Sequence, residues 1–268
     1  MKPDGRILFA VPLLAFVVGA TVYASEPARA RQPVPVVVGA AESDRPVAPS
    51  ERPITSRIRG TWNSTALPTA KVPCPRGKYQ REVETYLAKL GGFGRIVVDG
   101  KQTAAECKTI KKFQQRYSIW PASGNAGETT HNVARRLAST DTGKCKHGTG
   151  LTFCVDLTHQ TVWIMRGDKV IWKPTVTRTG MAGGFQTPAG TYQVLNRNIR
   201  EWSDPYEVWM PYWQRFNGGM GFHETTTYLH NSFGSHGCIN MLYVDAKKMW
   251  ELGSVGVRVY IFGRRPGT

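Results

Sequence analysis

Residues 151–166 read LTFCVDLTHQTVWIMR. Phe153, Val155 and Leu157 alternate with polar partners, Thr158-His159-Gln160 make a turn, and Val162, Ile164 and Met165 follow. A period of two on both sides of a short polar break is the pattern of antiparallel strands, so this stretch sets the domain's class as mostly β. The pattern continues downstream. Gly167-Asp168 marks a turn before Val170-Ile171-Trp172, and further strands are expected at Gly190–Leu195 and Gly256–Phe262. One helix is expected over Asp245–Leu252, capped by Asp245 and ended by Gly253. The domain so delimited runs from about residue 145 to 263.

Upstream the period changes. Tyr79, Val83, Tyr86, Leu87 and Leu90 recur at helical spacing until Gly91-Gly92. Thr103 suits the cap of a second helix carrying Cys107, Ile110 and Phe113, and Thr129 or Thr130 opens a third with Val133 and Leu137. Residues 74–140 therefore predict a small three-helix domain. Its core is limited, and a Cys74–Cys107 bridge would add ~3–4 kcal/mol in the chain-entropy model.

The first thirty residues have the secretory pattern: Lys2 and Arg6, an apolar run from Ile7 to Ala24, then Ala28-Arg29-Ala30. This predicts an export signal, or an uncleaved membrane anchor. Residues 31–73 hold seven prolines and no apolar periodicity, which predicts an extended tether. The expected location is the extracytoplasmic envelope, where disulfides persist. With 35 Lys and Arg against 19 Asp and Glu, the 268-residue chain carries +16, suited to anionic polymers or lipid headgroups at a membrane surface. No zinc-finger spacing, aromatic RNA-binding motif or dense basic run points to nucleic acid. Apolar residues at 41% and charged residues at 20% are globular values, which excludes global disorder.

Five cysteines leave at least one thiol unpaired. Five choices of the odd residue times three connectivities give fifteen arrangements with two bridges. Proximity favours Cys74–Cys107 and Cys145–Cys154, which leaves Cys238 within Ser235-His236-Gly237-Cys238-Ile239-Asn240. A thiol attacks a carbonyl as thiolate and needs a base. His236 lies two residues away and His223 fifteen upstream, and either type of ring can take the proton and return it to a leaving amine. Gly237 permits close backbone approach, and N–H groups there suit an oxyanion. Cys238, His236, His223 and Glu224 are also ligand types for zinc, but no Cys-x-x-Cys or His-x-x-x-His pair accompanies them, and no metal or other cofactor is expected. His131, His147, His159 and His230 lack a partner pattern and are expected at the surface or in loops.

The Ser235–Asn240 motif with His223 upstream resembles the signature of the L,D-transpeptidase (YkuD) family, and Thr187-Pro188-Ala189-Gly190-Thr191-Tyr192 matches that family's strand entry. The resemblance implies a β-sandwich with one or two short helices. It implies that Cys238 attacks a peptidoglycan stem tetrapeptide at its third residue, releases D-alanine and passes the acyl group to another stem, making a 3→3 cross-link. It implies His223 as general base, its tautomer held by the Glu224 carbonyl. It places His236, Gly237 and Cys238 at the oxyanion, Ser235 in the motif, Asn240 as a brace of the loop, and Tyr206, Met210 and Tyr212 beside the donor groove. Carbapenems are expected to acylate Cys238. Residues 74–138 resemble the three-helix peptidoglycan-binding domain through Leu87-x-x-Leu90-Gly91, Asp99-Gly100-x-x-Thr103, Ile110-x-x-Phe113-Gln114 and Gly127-x-Thr129.

Two departures stand out. The span from His223 to Ser235 is shorter than is usual in the family, and position 224 is Glu: with only its backbone used the side chain is free, and otherwise a carboxylate so near the base would raise the His223 pKa. Two other functions fit the same residues: a non-catalytic wall-binding protein, and a carboxypeptidase with water as acceptor. Papain-like enzymes place Cys before His, and sortases separate the two more widely, so both fit poorly.

Overall fold

The computed structural model describes residues 74–231 and 233–268. The export segment and the proline-rich tether, expected over 1–30 and 31–73, lie outside the described residues. Three helices come first: α1 (Gln80–Leu90), α2 (Ala104–Arg116) and α3 (Glu128–Ser139). Helix α1 ends where Gly91 turns to a φ of 66° and its N–H bonds Leu87 O. Helix α2 begins with a capping box. The Thr103 hydroxyl accepts from Glu106 N at 3.2 Å, and the Glu106 carboxylate accepts from Thr103 N at 2.9 Å. Helix α3 starts at Glu128, ahead of both threonines expected to open it. Thr130 is instead buried and accepts a hydrogen bond from Gln114 Nε2.

Strands follow in the order β1 (Leu151–Asp156), β2 (Thr161–Arg166), β3 (Lys169–Val176), β4 (Gly190–Gln193), β5 (Asn196–Ser203), β6 (Val208–Asn217), β7 (Met220–Glu224) and β8 (Ile239–Met241). Helix α4 (Tyr243–Leu252) and strand β9 (Arg258–Phe262) close the chain. They form two mixed sheets, β3-β2-β1-β9-β4 and β5-β6-β7-β8. Phe153, Val155, Val162 and Ile164 of the first sheet pack with Phe216, Phe222, Ile239 and Met241 of the second, joined by Met249 of α4.

The expected alternation in β1 is absent from its burial: every residue from Thr152 to Asp156 is buried. The far face is covered too, by Cys145 and Met165 packed with Cys154, Trp163, Tyr260 and Phe262. Both local disulfides form, Cys74–Cys107 and Cys145–Cys154, and Cys238 is a free thiol.

The helices do not stand alone. Val83, Leu87, Ile110, Phe113, Val133 and Leu137 share one cluster with Val176, Leu229 and Leu242 of the β domain. An ion pair joins the same surfaces. Asp245 was expected to cap a helix starting at its own position, but α4 starts at Tyr243, and Asp245 lies inside it with 1% of its surface exposed. Its carboxylate takes Arg116 Nη2 at 2.6 Å, Arg116 Nη1 at 3.2 Å and the Thr175 hydroxyl at 2.6 Å. The helix had a buried acid to satisfy, and the partner came from α2.

Removing the guanidinium strands that carboxylate. We expect Arg116→Met to lower the unfolding free energy by roughly 2–3 kcal/mol, and Asp245→Asn combined with it to cost less than the two single changes together. Denaturant melts of the four proteins check this, and strict additivity would refute the coupling.

Candidate active site

Strands β7 and β8 pair in parallel, with His223 opposite Asn240 and Phe222 opposite Ile239. Cys238 directly precedes β8, so strand register brings the thiol beside the histidine. The turn before β8 is held by hydroxyls. Ser235 Oγ donates to Cys238 O at 2.5 Å and accepts from Gly237 N at 3.2 Å. Thr187 Oγ1 donates to Gly237 O at 2.8 Å and accepts from Gly180 N at 2.9 Å. Gly237 has a φ of 109°, a region closed to most side chains.

His223 is 9% exposed and its Nδ1 lies 2.6 Å from Glu224 O. A carbonyl only accepts, so Nδ1 carries the hydrogen and Nε2 keeps its lone pair. The carboxylate of Glu224 does not raise this histidine as expected. Burial dominates and holds His223 down at about 4, with Arg178 adding to the effect. Burial also pushes the Cys238 thiol up, against the Gly221 backbone, which pulls it down. The resting pair is therefore neutral, a thiol beside an uncharged imidazole.

Two cavities meet at the sulfur. One, of about 270 Å³, is lined by Arg178, Val208, Trp209, His223, Glu224, Ser235 and Asn240. The other, of about 440 Å³, is lined by Glu201, Trp202, Trp213, Arg215 and Met220. Cys238, His236, Tyr206 and Met210 line both. The His236 ring stacks on Tyr206 at 4.4 Å and meets the edge of Phe185 at 4.6 Å.

Several expected placements change. Tyr212 borders neither cavity; it adopts a φ of 58° and turns to Tyr243 and Trp250 beside α4. The Gly237 N–H is held by Ser235 and is not directed to an oxyanion. Asn240 braces the loop through its backbone, which pairs with Arg178 N and O, whereas its buried Oδ1 has no hydrogen-bond partner. Among the described residues, Cys238, His223, His236 and Glu224 do not assemble a metal-sized ligand cluster. The other histidines are more engaged than expected. His230 gives Nε2 to Tyr117 O at 2.5 Å, His159 meets the Asp156 carboxylate at 2.7 Å, and His131 stacks on Tyr79.

Arg178 and Phe185 were not anticipated at the site. Arg178 donates to Tyr228 O, Asn231 Oδ1 and Thr227 Oγ1, and so fastens the loop after β7. Thr187 drew notice only as part of a strand entry, yet it holds the nucleophile turn.

Residues 151–261 match the L,D-transpeptidase catalytic domain family (YkuD). An L,D-transpeptidase structure from Stackebrandtia nassauensis is 49% identical, covers 72% of this chain and 95% of its own, and superposes with a TM-score of 0.70. One from Xylanimonas cellulosilytica is 20% identical over 71% of this chain and 99% of its own, with a TM-score of 0.43. One from Enterococcus faecium is 24% identical over 43% and 50%, with a TM-score of 0.36. A search of curated proteins finds no match.

Burial of neutral histidines makes stability pH-dependent. His223 and His230 are each held at about 4 in the fold, against 6.5 for an ordinary histidine. As pH falls through that interval the unfolded chain takes up protons that the fold refuses, so stability present above the upper value is lost toward the lower one. Each ring accounts for up to ~3 kcal/mol of that loss. We expect His223→Gln and His230→Gln each to flatten the decline in thermal melts across this range. An equally steep decline in the double variant would assign the protons elsewhere.

Proposed function

Because the chain belongs to the L,D-transpeptidase (YkuD) family, we propose that this acyltransferase is exported to the cell wall and forms 3→3 cross-links through a thioester on Cys238. The observation that carries the proposal is a reduced Cys238 in one cavity with a His223 whose Nδ1–H is committed to Glu224 O, leaving Nε2 to accept a proton.

The thiol gives its proton to His223 Nε2 as Sγ bonds to the carbonyl carbon of the third stem residue. The carbonyl electrons move to oxygen, and the Cys238 amide and the neighbouring motif backbone receive that charge. Collapse breaks the bond to D-alanine nitrogen, which takes the proton from His223. A stem side-chain amine then attacks the thioester, losing a proton to His223, and the released sulfur takes that proton back. Donor and acceptor approach from the two cavities that meet at Cys238. That arrangement favours amine transfer over hydrolysis, which needs one groove and water. Tyr206 and Met210 line both approaches, and the stacked His236 keeps the wall between them rigid.

The leader and the proline-rich segment would carry the domain across the membrane and into the wall. The helical domain, with its sequence likeness to peptidoglycan-binding domains, would hold the enzyme on its polymer.

A carbapenem presents a strained amide carbonyl in place of the donor. We expect intact-mass measurement to find one covalent adduct on the wild-type chain and none on Cys238→Ala. With stem tetrapeptides, His223→Ala is expected to lose at least ~100-fold in turnover while melting as a folded protein. An adduct that persists in Cys238→Ala, or full turnover in His223→Ala, overturns the mechanism.

A further inference from the structure

Behind the active site, between α3 and the loop after β7, lies a cavity of about 340 Å³ that the chemistry of Cys238 does not use. Three guanidiniums line it, Arg136, Arg178 and Arg265, with Glu128, Asn132 and His230. The guanidiniums are close enough for Arg265 to disfavour the charge of both others.

Neither Arg136 nor Arg178 has a carboxylate within ion-pair distance among the described residues. Arg136 gives Nε to His159 O, and Nη2 to Gln160 O and Thr177 O, so only neutral carbonyls answer its charge. Arg178 is 7% exposed, spends its Nη groups on the loop, and leaves Nε with no hydrogen bond at all. A buried guanidinium with no carboxylate partner and an N–H unspent, as Arg178 is, is stable only if something compensates it.

We propose that this cavity binds an oxyanion of phosphate or carboxylate type, and that its occupancy acts on the active site through Arg178. That arginine lines both cavities and fastens the loop after β7, whose Thr225 and Thr227 line the cavity at the thiol. An anion on its guanidinium neutralises the charge that His223 feels and competes for the donors that hold Tyr228, Thr227 and Asn231. Cys238 reactivity then follows the anion's concentration, and by reciprocity a ligand on the loop side changes the anion's affinity.

The test uses the full chain and two probes at constant ionic strength, inorganic phosphate and succinate, titrated by calorimetry. Glu128 and Asn132 are exposed residues of the cavity wall outside the catalytic machinery. Glu128→Gln removes a like charge and is expected to tighten binding, and Asn132→Glu adds one and is expected to weaken it by about tenfold. In parallel, the rate of Cys238 alkylation by iodoacetamide should rise severalfold with the binding probe and saturate at the affinity measured directly. The midpoint should move in the same direction in each variant.

Phosphate binding with succinate silent identifies a phosphate ligand, and the reverse identifies a carboxylate. Binding of neither, or affinities unchanged in both variants, overturns the site. Binding that leaves alkylation unchanged overturns the link through Arg178. No acyl donor enters the experiment, so its failure leaves the thioester mechanism standing.

Discussion

Desolvation of one imidazole governs this active site. His223 is buried, so the protein must keep it uncharged and must also fix which nitrogen carries the hydrogen. A carboxylate partner would do the second job while favouring the charged ring. The Glu224 carbonyl does it without adding a charge, and it leaves Nε2 available. The same burial keeps Cys238 protonated at rest. A preformed thiolate–imidazolium pair is thus disfavoured, and in the proposed mechanism proton transfer is coupled to attack on the carbonyl. The cost is a nucleophile that is weak until substrate is in place. The gain is a thiol protected from the oxidation to which thiolates are prone.

The turn beside this histidine is built from uncharged groups. The nucleophile turn is held by two hydroxyls, Ser235 and Thr187, each donating to one carbonyl and accepting from one amide. Hydroxyls leave the field at the buried histidine nearly unchanged, whereas the charged brace nearby, Arg178, pushes it down. Thr187 also joins elements distant in sequence, because Gly180 N and Gly237 O both end on its oxygen. The turn before β8 is therefore positioned by the segment between β3 and β4 as well as by its own strand.

How far the sequence disclosed this arrangement depended on the range of the interaction. Local devices were legible: the Thr103 cap, the Gly91 stop, the two close cysteine pairs, and the Cys238 motif with its upstream histidine. Features decided by distant partners were not. Asp245 looks like a helix cap until Arg116 arrives from α2. Tyr212 sits in a strand next to groove residues, but its positive φ turns it toward Tyr243. Arg178 lies in a run of threonines with no motif, and only the fold brings the loop after β7 against it. Strands β5 and β6 escaped notice because β5 is polar and largely exposed, so neither alternation nor an apolar run marks it.

The packing also binds the helical domain to catalysis in a way that two separate sequence patterns conceal. Leu229 belongs to the loop that Arg178 fastens, yet it is 4% exposed and packs in the same cluster as Val83, Ile110 and Phe113. His230, next in sequence, donates to Tyr117 O at the end of α2. The loop after β7 thus has one anchor in the β domain, through guanidinium hydrogen bonds, and another in the helices, through burial and one imidazole. Burial of Leu229 alone is worth about 1.5–3 kcal/mol, comparable with the polar anchors taken together. The loop that lines the site is thus fastened from both domains, and the helices take part in positioning it.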